Sequence, residues 1–487
     1  MCGIAGIYGQ GRLSAEQIKS ALKSMTDRMI LRGPDGDGHW QADQIGFGHR
    51  RLAVIDLSEA GDQPMHSHDG RWSMVYNGEL YNTEALRSQI DQQRGPLAWR
   101  GHADSEVMLE AIALFGPEEA LRRADGMFAL AAFDHKEQSL TLARDAFGEK
   151  PLYYGLVNGA LGFASQPGAF RDLPGFDASF DQTALTQYFK LSYIPAPRSI
   201  YRGVHKLPPA HFMTLALEDL DKGLPDPQPF WSPRRAALAA RGRFEGSYED
   251  ALAQLETLMQ QSVASRMVSD VPLGCLLSGG IDSSAVAALM ARTSGRPRSF
   301  CIGMAQDGFN EADHARDVAA HLGCDHTELM LTPGDLTEVV PRLPKIYDEP
   351  FSDSSQIPTF LVSQLARQSV TVALSGDGGD EVLGGYNRYI FGPQVWARTG
   401  RLPCFARAPI AAILRNLPVN AVATLAGIRG ADLRSGRGAE KLQKLADLIP
   451  ATSEAALYDR LITTAHNSNT LLLNPSLEDC FDTELFN

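Results

Sequence analysis

The sequence has few cysteines and no long apolar run. Its 6 cysteines are widely scattered and form no CxxC pair, so neither a zinc site nor a disulfide framework is indicated. No stretch of about 18 consecutive apolar residues occurs, and MCGIAGIYG lacks a basic region followed by an apolar one. We therefore expect neither a spanning helix nor a signal peptide, and we predict a protein of the reducing cytoplasm with no membrane partner.

Positive charge is also scarce. The chain has 45 Lys and Arg against 58 Asp and Glu, a formal net charge of -13. Nucleic acids and anionic lipids are bound through clustered Lys and Arg, so neither is an expected partner. The sequence also lacks the GKS or GKT that ends a Walker A loop. Any phosphate chemistry must therefore use a different local site.

The length of 487 residues exceeds what one hydrophobic core usually supports, so we expect at least two domains. Residues 1–217 contain short apolar segments separated by Gly, Asp and Asn, which predicts layered β structure with helices. Residues 218–246 are rich in proline and glycine and then basic, as is typical of a linker. In residues 247–487, strands such as VPLGCLL, RSFCIGM and VTVALSG alternate with helical patterns, which predicts a doubly wound parallel sheet.

Cys2 is a candidate nucleophile. Methionine is readily removed when the next side chain is small, and Cys2 would then carry both a thiol and a free α-amine. An α-amine titrates near pH 8, about 7.7–8.0 in model compounds, so part of it can accept the thiol proton at working pH. The apolar, glycine-punctuated CGIAGIYG predicts a strand that would hold this residue in place. As a lone Met-Cys, the pair would more simply be an incidental chain end.

Groups suited to binding an amino-acid amide follow in the sequence. Arg51 could clamp an α-carboxylate, and Asp104 could hold an α-ammonium. Asn77 and Gly78 could donate hydrogen bonds to a tetrahedral oxyanion, with Glu79 near the substrate amine. Each has an ordinary alternative, since Asn-Gly is a turn signal, Arg51 could be a surface charge and Asp104 a helix cap.

A possible anion site follows the strand VPLGCLL. SGGIDSS leads from this strand into a helix, so backbone N–H groups and the helix N-terminus would point at one spot. The hydroxyls of Ser278, Ser283 and Ser284 are further donors, and Asp282 offers a carboxylate for Mg²⁺. On its own, an ordinary tight turn explains this segment equally well.

A second polar segment strengthens that interpretation. SGDGGDEVLGGY follows the strand VTVALSG and would emerge at the same carboxyl edge of a doubly wound sheet. Asp380 and Glu381 could then complete a magnesium site. The alternative is a flexible acidic loop.

The order of these motifs resembles a known family. MCGIAGI, RGPDGDG, HRRLAVIDLSEAGDQPM, YNGELYN and GMFALAAFD resemble the N-terminal nucleophile (Ntn) glutaminase domain of class II amidotransferases. LLSGGIDSS with SGDGGDEVLGGY narrows the resemblance to the asparagine synthetase family. It implies an α+β, αββα glutaminase domain followed by an α/β PP-loop synthetase domain. We accordingly assign 1–217 to the first, 218–246 to a linker and 247–487 to the second.

The resemblance also implies site residues. The glutaminase nucleophile would be Cys2, with an oxyanion hole at Asn77 and Gly78, and the glutamine-binding residues would be Arg51, Val54, Ile55, Asn77, Glu79 and Asp104. ATP would contact Leu277, Ser278, Gly279, Gly280, Asp282, Ser283, Ile302, Ser375 and Gly376. Mg²⁺ would be held by Asp282 and Asp380, and Asp377 would stand near an acyl-adenylate. Many relatives have glutamate where Asp377 stands, so the side chain here is shorter.

The implied activity is glutamine-dependent synthesis of asparagine. Glutamine would give ammonia at Cys2, and ATP would activate aspartate as β-aspartyl-AMP at a second site, with an internal ammonia passage between them. Relatives are often dimers, so a homodimer is compatible with the resemblance. Two alternatives stay open at this stage: amidation of another carboxylate, for example in surface-polysaccharide synthesis, and a scaffold that keeps glutaminase activity but has an impaired synthetase.

One departure from the family pattern argues for the second alternative, whereas the intact Cys2 and the intact SGGIDSS argue against it. Relatives continue with LPDDLLVKVDR-like and LEVRVPFLD-like motifs, including a lysine thought to neutralise the adenylating phosphates. This sequence has neither motif, so we expect a synthetase part without its usual C-terminal segment. Lys441 and Lys444 lie in an amphipathic pattern typical of a solvated helix face and are not an obvious replacement.

Overall fold

The computed structural model describes residues 1–9, 11–304, 310–416 and 444–464. The chain forms two compact units. The first contains Met1–Ala184 and Ile194–Gly376, and the second contains Leu185–Tyr193 and Asp377–Asn487. The first unit therefore includes the predicted glutaminase domain, except for Leu185–Tyr193, together with the predicted parallel sheet.

The elements are numbered in chain order over these described ranges. The strands are β1 Gly3–Tyr8, β2 Gly36–Ala42, β3 Ile45–Arg51, β4 Met65–His66, β5 Trp72–Leu80, β6 Gly126–Asp134, β7 Ser139–Arg144, β8 Tyr153–Val157, β9 Ala160–Ala164, β10 Val204–Lys206, β11 His211–Ala216, β12 Gln228–Pro229, β13 Leu273–Leu276, β14 Arg298–Met304, β15 Asp325–Leu331 and β16 Val372–Leu374. The helices are α1 Ala15–Asp27, α2 Thr83–Arg94, α3 Asp104–Phe115, α4 Pro117–Arg123, α5 Gln182–Leu191, α6 Asp219–Lys222, α7 Pro233–Ala240, α8 Tyr248–Ser265, α9 Ile281–Ser294, α10 Ala312–Leu322, α11 Pro333–Val339, α12 Leu343–Ile346, α13 Gln356–Ala366, α14 Gly379–Leu383, α15 Asn387–Thr399, α16 Cys404–Asn416 and α17 Glu454–Ile462.

The N-terminal part is a four-layer sandwich, as predicted. Two six-stranded antiparallel sheets have the orders β10-β8-β9-β1-β3-β2 and β12-β11-β7-β6-β5-β4. Apolar side chains from both sheets, including Ile4, Phe47, Val75 and Phe133, form one core between them. Helix α1 contacts β1 and β3 of the first sheet, and α3 contacts β5 of the second. This arrangement is the predicted αββα architecture.

The strand that follows Cys2 lies inside the first sheet. β1 pairs with β3 on one side and β9 on the other, and all of its residues are buried. A strand paired on both sides cannot fray, because each of its edges is held by backbone hydrogen bonds. The chain end is therefore anchored, as the CGIAGIYG pattern predicted.

The predicted linker 218–246 is more ordered than expected. β12 pairs with β11 at the edge of the second sheet, and Phe230 is buried in the core against α3 and α4. Pro229 is tolerated because an edge strand needs no N–H donor on its outer side. Proline and glycine content indicated a linker, but Gln228–Pro229 within it extend the sheet. Beyond them, α7 buries none of its side chains.

The C-terminal sheet of the first unit is four-stranded and entirely parallel, in the order β15-β14-β13-β16. Residues on its two faces pack into separate clusters, one with α9 and α10 around Cys275 and one with α13 around Phe300. Helices on both faces confirm the predicted doubly wound sheet. The strand order reverses between β13 and β16, and ligands bind at this point in such sheets.

The second unit is helical in its described residues. α15 contacts α17, and Val395, Leu448, Ala451 and Leu457 form its core. Lys444 is exposed, as expected of a solvated face, and Lys441 lies outside the described residues. None of the described helices has the length and apolar character needed to cross a bilayer.

Candidate active site

Every residue predicted to cleave or bind glutamine lines one cavity of about 350 Å³ in the first unit. These residues are Cys2, Arg51, Val54, Ile55, Asn77, Gly78, Glu79 and Asp104. The cavity falls within the range typical of small-molecule sites, about 300–1,000 Å³. Residues up to 102 positions apart in the sequence are thus gathered at one place by β1, β3, β5 and the start of α3.

The thiol of Cys2 is held by the backbone of Leu52. Leu52 N–H donates to Sγ over 3.4 Å, and Sγ lies 3.6 Å from the Leu52 carbonyl oxygen. Burial raises the pKa of the Cys2 thiol, and the nearby N-terminal charge and the Leu52 hydrogen bond act against this effect. The thiol is thus mainly protonated at neutral pH, and it needs a base to become a nucleophile.

The chain end lines the same cavity as the thiol. In this structure the α-amine belongs to Met1, and burial lowers its pKa to about 6. Cys2 acts against this shift, whereas Lys150 and Arg32 reinforce it electrostatically. An amine with this pKa is mainly neutral at pH 7 and can accept a proton.

Asn77 provides an unused donor inside the cavity. Its side chain is buried, and Nδ2 has no hydrogen-bond partner among the described residues. A buried N–H₂ group without an acceptor is costly, which makes it an uncommon feature outside functional sites. The predicted oxyanion hole therefore has a side-chain donor available for a ligand oxygen.

Two buried carboxyl groups give the cavity an acidic side. Burial raises the pKa of Glu79 to about 7, an effect that Lys150 opposes and Asp104 reinforces. Burial also raises the pKa of Asp104 to about 6, against a hydrogen bond of 2.8 Å that its Oδ2 accepts from Leu80 N–H. Asp104 begins α3 but is not its cap, because Ala103 holds that position. A partly ionised carboxylate here suits a bound ammonium group.

Arg51 is the last residue of β3 and also lines the cavity. Its guanidinium donates 2.9 Å to the Ser58 carbonyl oxygen and 2.6 Å to Asp62, and it also contacts the Asp56 carbonyl. These contacts fix the plane of the guanidinium fork, and its side chain is only 11% exposed. The alternative of a free surface charge is therefore wrong.

The predicted phosphate-binding segment forms a tight loop before α9. Ser283 Oγ accepts from Ser278 N–H at 3.2 Å and lies 3.0 Å from Ser278 Oγ. Gly279 has φ +77°, and a Cβ there would lie 2.7 Å from Ala315 N on α10, so this position requires glycine. The N-cap Gly280 supplies no side-chain acceptor, which leaves the N–H groups of the 14-residue helix α9 for a ligand.

The loop after β16 meets this segment, as the sheet topology predicts. A Cβ on Gly376 would lie 2.7 Å from Ser283 N, so the two loops are in direct backbone contact. Ser284 Oγ is buried and finds no hydrogen-bond partner within the described ranges. Backbone donors, hydroxyls and glycines are thus brought together at the switch point of the sheet.

The other predicted ATP contacts lie on β14, directly after β13 and β16, or in α9. Leu277 is buried beneath the loop, and Ile302 packs on the opposite sheet face beside Phe300. Ser375 lies between β16 and Gly376, and Asp282 is in the first turn of α9. Asp377 and Asp380 fall in the second unit, so the proposed pairing of Asp282 with Asp380 remains a prediction. No group of three or more His, Cys, Asp or Glu side chains in the described chain is arranged to hold a metal ion by itself.

Comparison with known proteins identifies a family for each of two parts of the chain. Residues 1–231 match the glutamine amidotransferase domain family, and residues 254–477 match the asparagine synthase family. A relative from Methanocaldococcus jannaschii, provisionally named glutamine-hydrolyzing asparagine synthetase 2, is 32% identical over 457 residues, covering 87% of this chain and 83% of the relative. The chain belongs to the glutamine-hydrolyzing asparagine synthetase family.

Other members of the family are longer. Asparagine synthetase [glutamine-hydrolyzing] 1 of Bacillus subtilis is 32% identical over 398 residues, which are 80% of this chain and 59% of the relative. The chain thus spans about three-fifths of the length of this curated relative. The structure of the B. subtilis glutamine phosphoribosylpyrophosphate amidotransferase with ADP and GMP covers 68% of this chain and 81% of its own, at 14% identity and a TM-score of 0.34. So low a score carries no weight for fold or function.

The asparagine synthetase motifs did not reveal every residue of the cavity that contains Cys2. Lys150 lines it and is only 6% exposed, and its backbone N–H is held by Asp145 over 2.9 Å. Burial lowers the pKa of Lys150, against the charge of Glu79. Nothing in GEKPLYY distinguishes a buried lysine from an exposed one. Sequence reasoning therefore had no signal for this residue.

Two other missed groups come from distant positions. Arg32 Nε donates to the Cys2 carbonyl over 3.1 Å, which fixes the backbone next to the thiol. Val372 and Ala373 of β16 also line the cavity, together with Thr371. In this member of the asparagine synthetase family, the parallel sheet thus forms part of the wall of the cavity that contains Cys2.

Proposed function

We propose that this protein is a cytoplasmic glutamine-dependent asparagine synthetase. Glutamine is hydrolysed to glutamate and ammonia at Cys2. At the second site, aspartate reacts with ATP to give β-aspartyl-AMP and pyrophosphate, and ammonia then displaces AMP to form asparagine. A homodimer remains a prediction, to which the structure of one chain adds nothing.

In the glutaminase reaction, the residues around Cys2 act one after another. After loss of Met1, the α-amine of Cys2 accepts the thiol proton, and Sγ forms a bond to the glutamine side-chain carbonyl carbon. Asn77 Nδ2 and Gly78 N–H stabilise the oxyanion, and the returned proton leaves with ammonia as the C–N bond breaks. Water then hydrolyses the thioester to glutamate and regenerates the thiol.

The two charged groups of glutamine are bound by side chains of opposite charge. Arg51 holds the α-carboxylate, and the buried carboxylate of Asp104 holds the α-ammonium. Glu79 lies beside Asp104 and contributes to the same negative field. The cavity thus has one cationic and one anionic side, as an amino acid requires.

One observation carries the proposal of two linked reactions. Val372 and Ala373 line the Cys2 cavity, whereas Gly376, only three residues later, touches Ser283 in the phosphate loop. Three residues of extended chain span about 10 Å. Ammonia released at Cys2 thus needs only a short internal passage past β16 to reach the second site. Such a passage keeps ammonia from the protonation that would remove its nucleophilicity.

The second site fits a PP-loop fold that binds ATP with Mg²⁺. The loop contact between Gly376 and Ser283, the unpaired Ser284 hydroxyl and the α9 N-terminus suit a pyrophosphate group. Carboxylate oxygens are ligands that Mg²⁺ prefers, and Asp282 and Asp380 would hold it. Bound Mg²⁺ would neutralise charge on the phosphates. Asp377 would lie near the acyl-adenylate.

A labelling experiment tests the proposed function. The protein is incubated with amide-¹⁵N glutamine, ATP, Mg²⁺ and aspartate, and ¹⁵N-asparagine, AMP and glutamate are measured. We expect equal amounts of asparagine and AMP. Pyrophosphate exchange into ATP, run with a panel of carboxylates, identifies the acceptor. Glutamate release without exchange for any carboxylate would contradict the synthetase half of the proposal.

A further inference from the structure

Asp270 links the parallel-sheet part of the chain to the glutamine cavity. It lies between α8 and β13, and its carboxylate Oδ2 accepts a hydrogen bond of 2.7 Å from Asp56 N–H. Its own N–H donates to the Val54 carbonyl over 2.9 Å. Asp270 therefore forms hydrogen bonds to the backbone of Val54 and of Asp56, the residues on either side of Ile55. Val54 and Ile55 both line the cavity.

The segment that Asp270 holds is strained. Asp56 has φ +56°, in the left-handed region that non-glycine residues rarely occupy. Such a conformation persists only when surrounding contacts stabilise it. The carbonyl of the same residue contacts the Arg51 guanidinium. A change in the Asp56 backbone would thus shift the guanidinium of Arg51, the residue proposed to hold the glutamine carboxylate.

The same carboxylate reaches a second segment of the cavity wall. Asp270 Oδ2 lies 2.6 Å from His102 Nε2, and His102 N–H donates to Asp56 Oδ2 over 2.8 Å. His102 is followed directly by Ala103 and Asp104, which both line the cavity. Asp270 thus connects the segment with Val54 and Ile55 to the segment with Asp104.

We propose that Asp270 is a positioning residue for glutamine, supplied to the glutaminase site by the synthetase part of the chain. It does not line the cavity and acts through Asp56 and His102, whose segments carry the glutamine-binding groups. The inference rests on the proposed function, because it concerns the same glutamine site. It goes further by making that site dependent on a residue from beyond the predicted linker.

The test compares KM and kcat for glutamine hydrolysis in the full-length protein. Asp270→Ala removes the acceptor for Asp56 N–H, and we expect KM to rise by about fivefold or more while kcat changes much less, since lost hydrogen bonds of this kind are worth about that factor. Ammonia-dependent asparagine synthesis should stay as in the unaltered protein. Asp270→Asn keeps an oxygen acceptor for Asp56 N–H but loses the charge that faces His102, so KM should rise less than in Asp270→Ala and still exceed that of the unaltered protein.

A matched control separates positioning from general loosening of the contact between the two parts. Glu349 also joins them, accepting from Ile200 N–H at 2.9 Å and pairing with Lys206, but it does not line the glutamine cavity. Glu349→Gln should leave the glutamine KM unchanged. An equal rise of KM in both variants, or an unchanged KM in folded Asp270→Ala, would overturn the inference.

Two further outcomes are distinguishable. If Asp270→Ala does not fold, Asp270→Asn decides the matter. Loss of charge and of the His102 ion pair should still raise KM measurably, and an unchanged KM in this variant would overturn the inference. Failure of the proposed function itself would look different, because the unaltered protein would then release no glutamate, or Cys2→Ala would release it equally fast.

Discussion

Gly376 lies so close to Ser283 that a Cβ atom added to it would be 2.7 Å from the Ser283 backbone nitrogen. The loops after β16 and β13 therefore fit together only with glycine at this position. Gly376→Ala must displace one loop, and we expect ATP–pyrophosphate exchange to fall by about tenfold or more, because small misplacements of reacting groups carry large rate costs. Glutamate release should persist.

Gly334 offers a matched control for that substitution. A Cβ there would meet only the Thr332 hydroxyl, at 3.5 Å, which is ordinary contact. Gly334→Ala should retain exchange. Normal exchange in Gly376→Ala would show that the two loops can separate without consequence.

The second prediction concerns the chain end. Cys2→Ala removes the thiol, so glutamine-dependent synthesis should be abolished while ammonia-dependent synthesis continues at the separate second site. Mass spectrometry of active protein should show that Met1 has been removed. Loss of ammonia-dependent activity in this variant, or full activity in protein that retains Met1, would contradict the two-site mechanism.

Asn77 allows catalysis to be separated from stability. Because Asn77 Nδ2 has no partner in the described structure, Asn77→Ala should leave the melting temperature nearly unchanged. Glutaminase kcat should fall by about 100-fold or more, as for other oxyanion-hole donors. In the control Asn82→Ala, a hydrogen bond of 2.8 Å to the Arg123 carbonyl is lost, so stability should drop with little effect on kcat. The reverse pattern would exclude Asn77 from the oxyanion hole.

The pH dependence of glutamine use follows from Asp104. Burial raises its pKa to about 6, so the carboxyl is neutral below that pH and charged above it. Only the charged form attracts the α-ammonium, and the glutamine KM should therefore rise as the pH falls through about 6. Asp104→Asn should have a high KM that depends less on pH across this range. A KM that is constant from about pH 5 to pH 8 in the unaltered protein would contradict this role.

The parts of the site that sequence could predict are those carried by short motifs. Cys2, Arg51, Asn77 and Asp104 each lie in a local pattern, and all of them line one cavity. The parallel sheet was equally predictable, because its strands and helices alternate regularly along the chain.

Groups defined by distant contacts could not be predicted. Lys150 is buried by neighbours that its own segment does not reveal, and Asp270 contacts Asp56 across 214 positions. The sheet pairing of β12 was hidden by its proline, since composition records the missing donor but not the edge position that tolerates it.

β16 has a consequence for how this protein can be recombined. Val372 and Ala373 of this strand line the cavity that contains Cys2, and Gly376 after its other end contacts Ser283. The predicted linker lies more than a hundred residues earlier in the sequence. In a hybrid joined at that linker, Cys2 would come from one protein and the part of its cavity wall formed by β16 from the other. Hybrids of two homologues should therefore keep glutaminase activity only when β16 and the N-terminal domain come from the same protein.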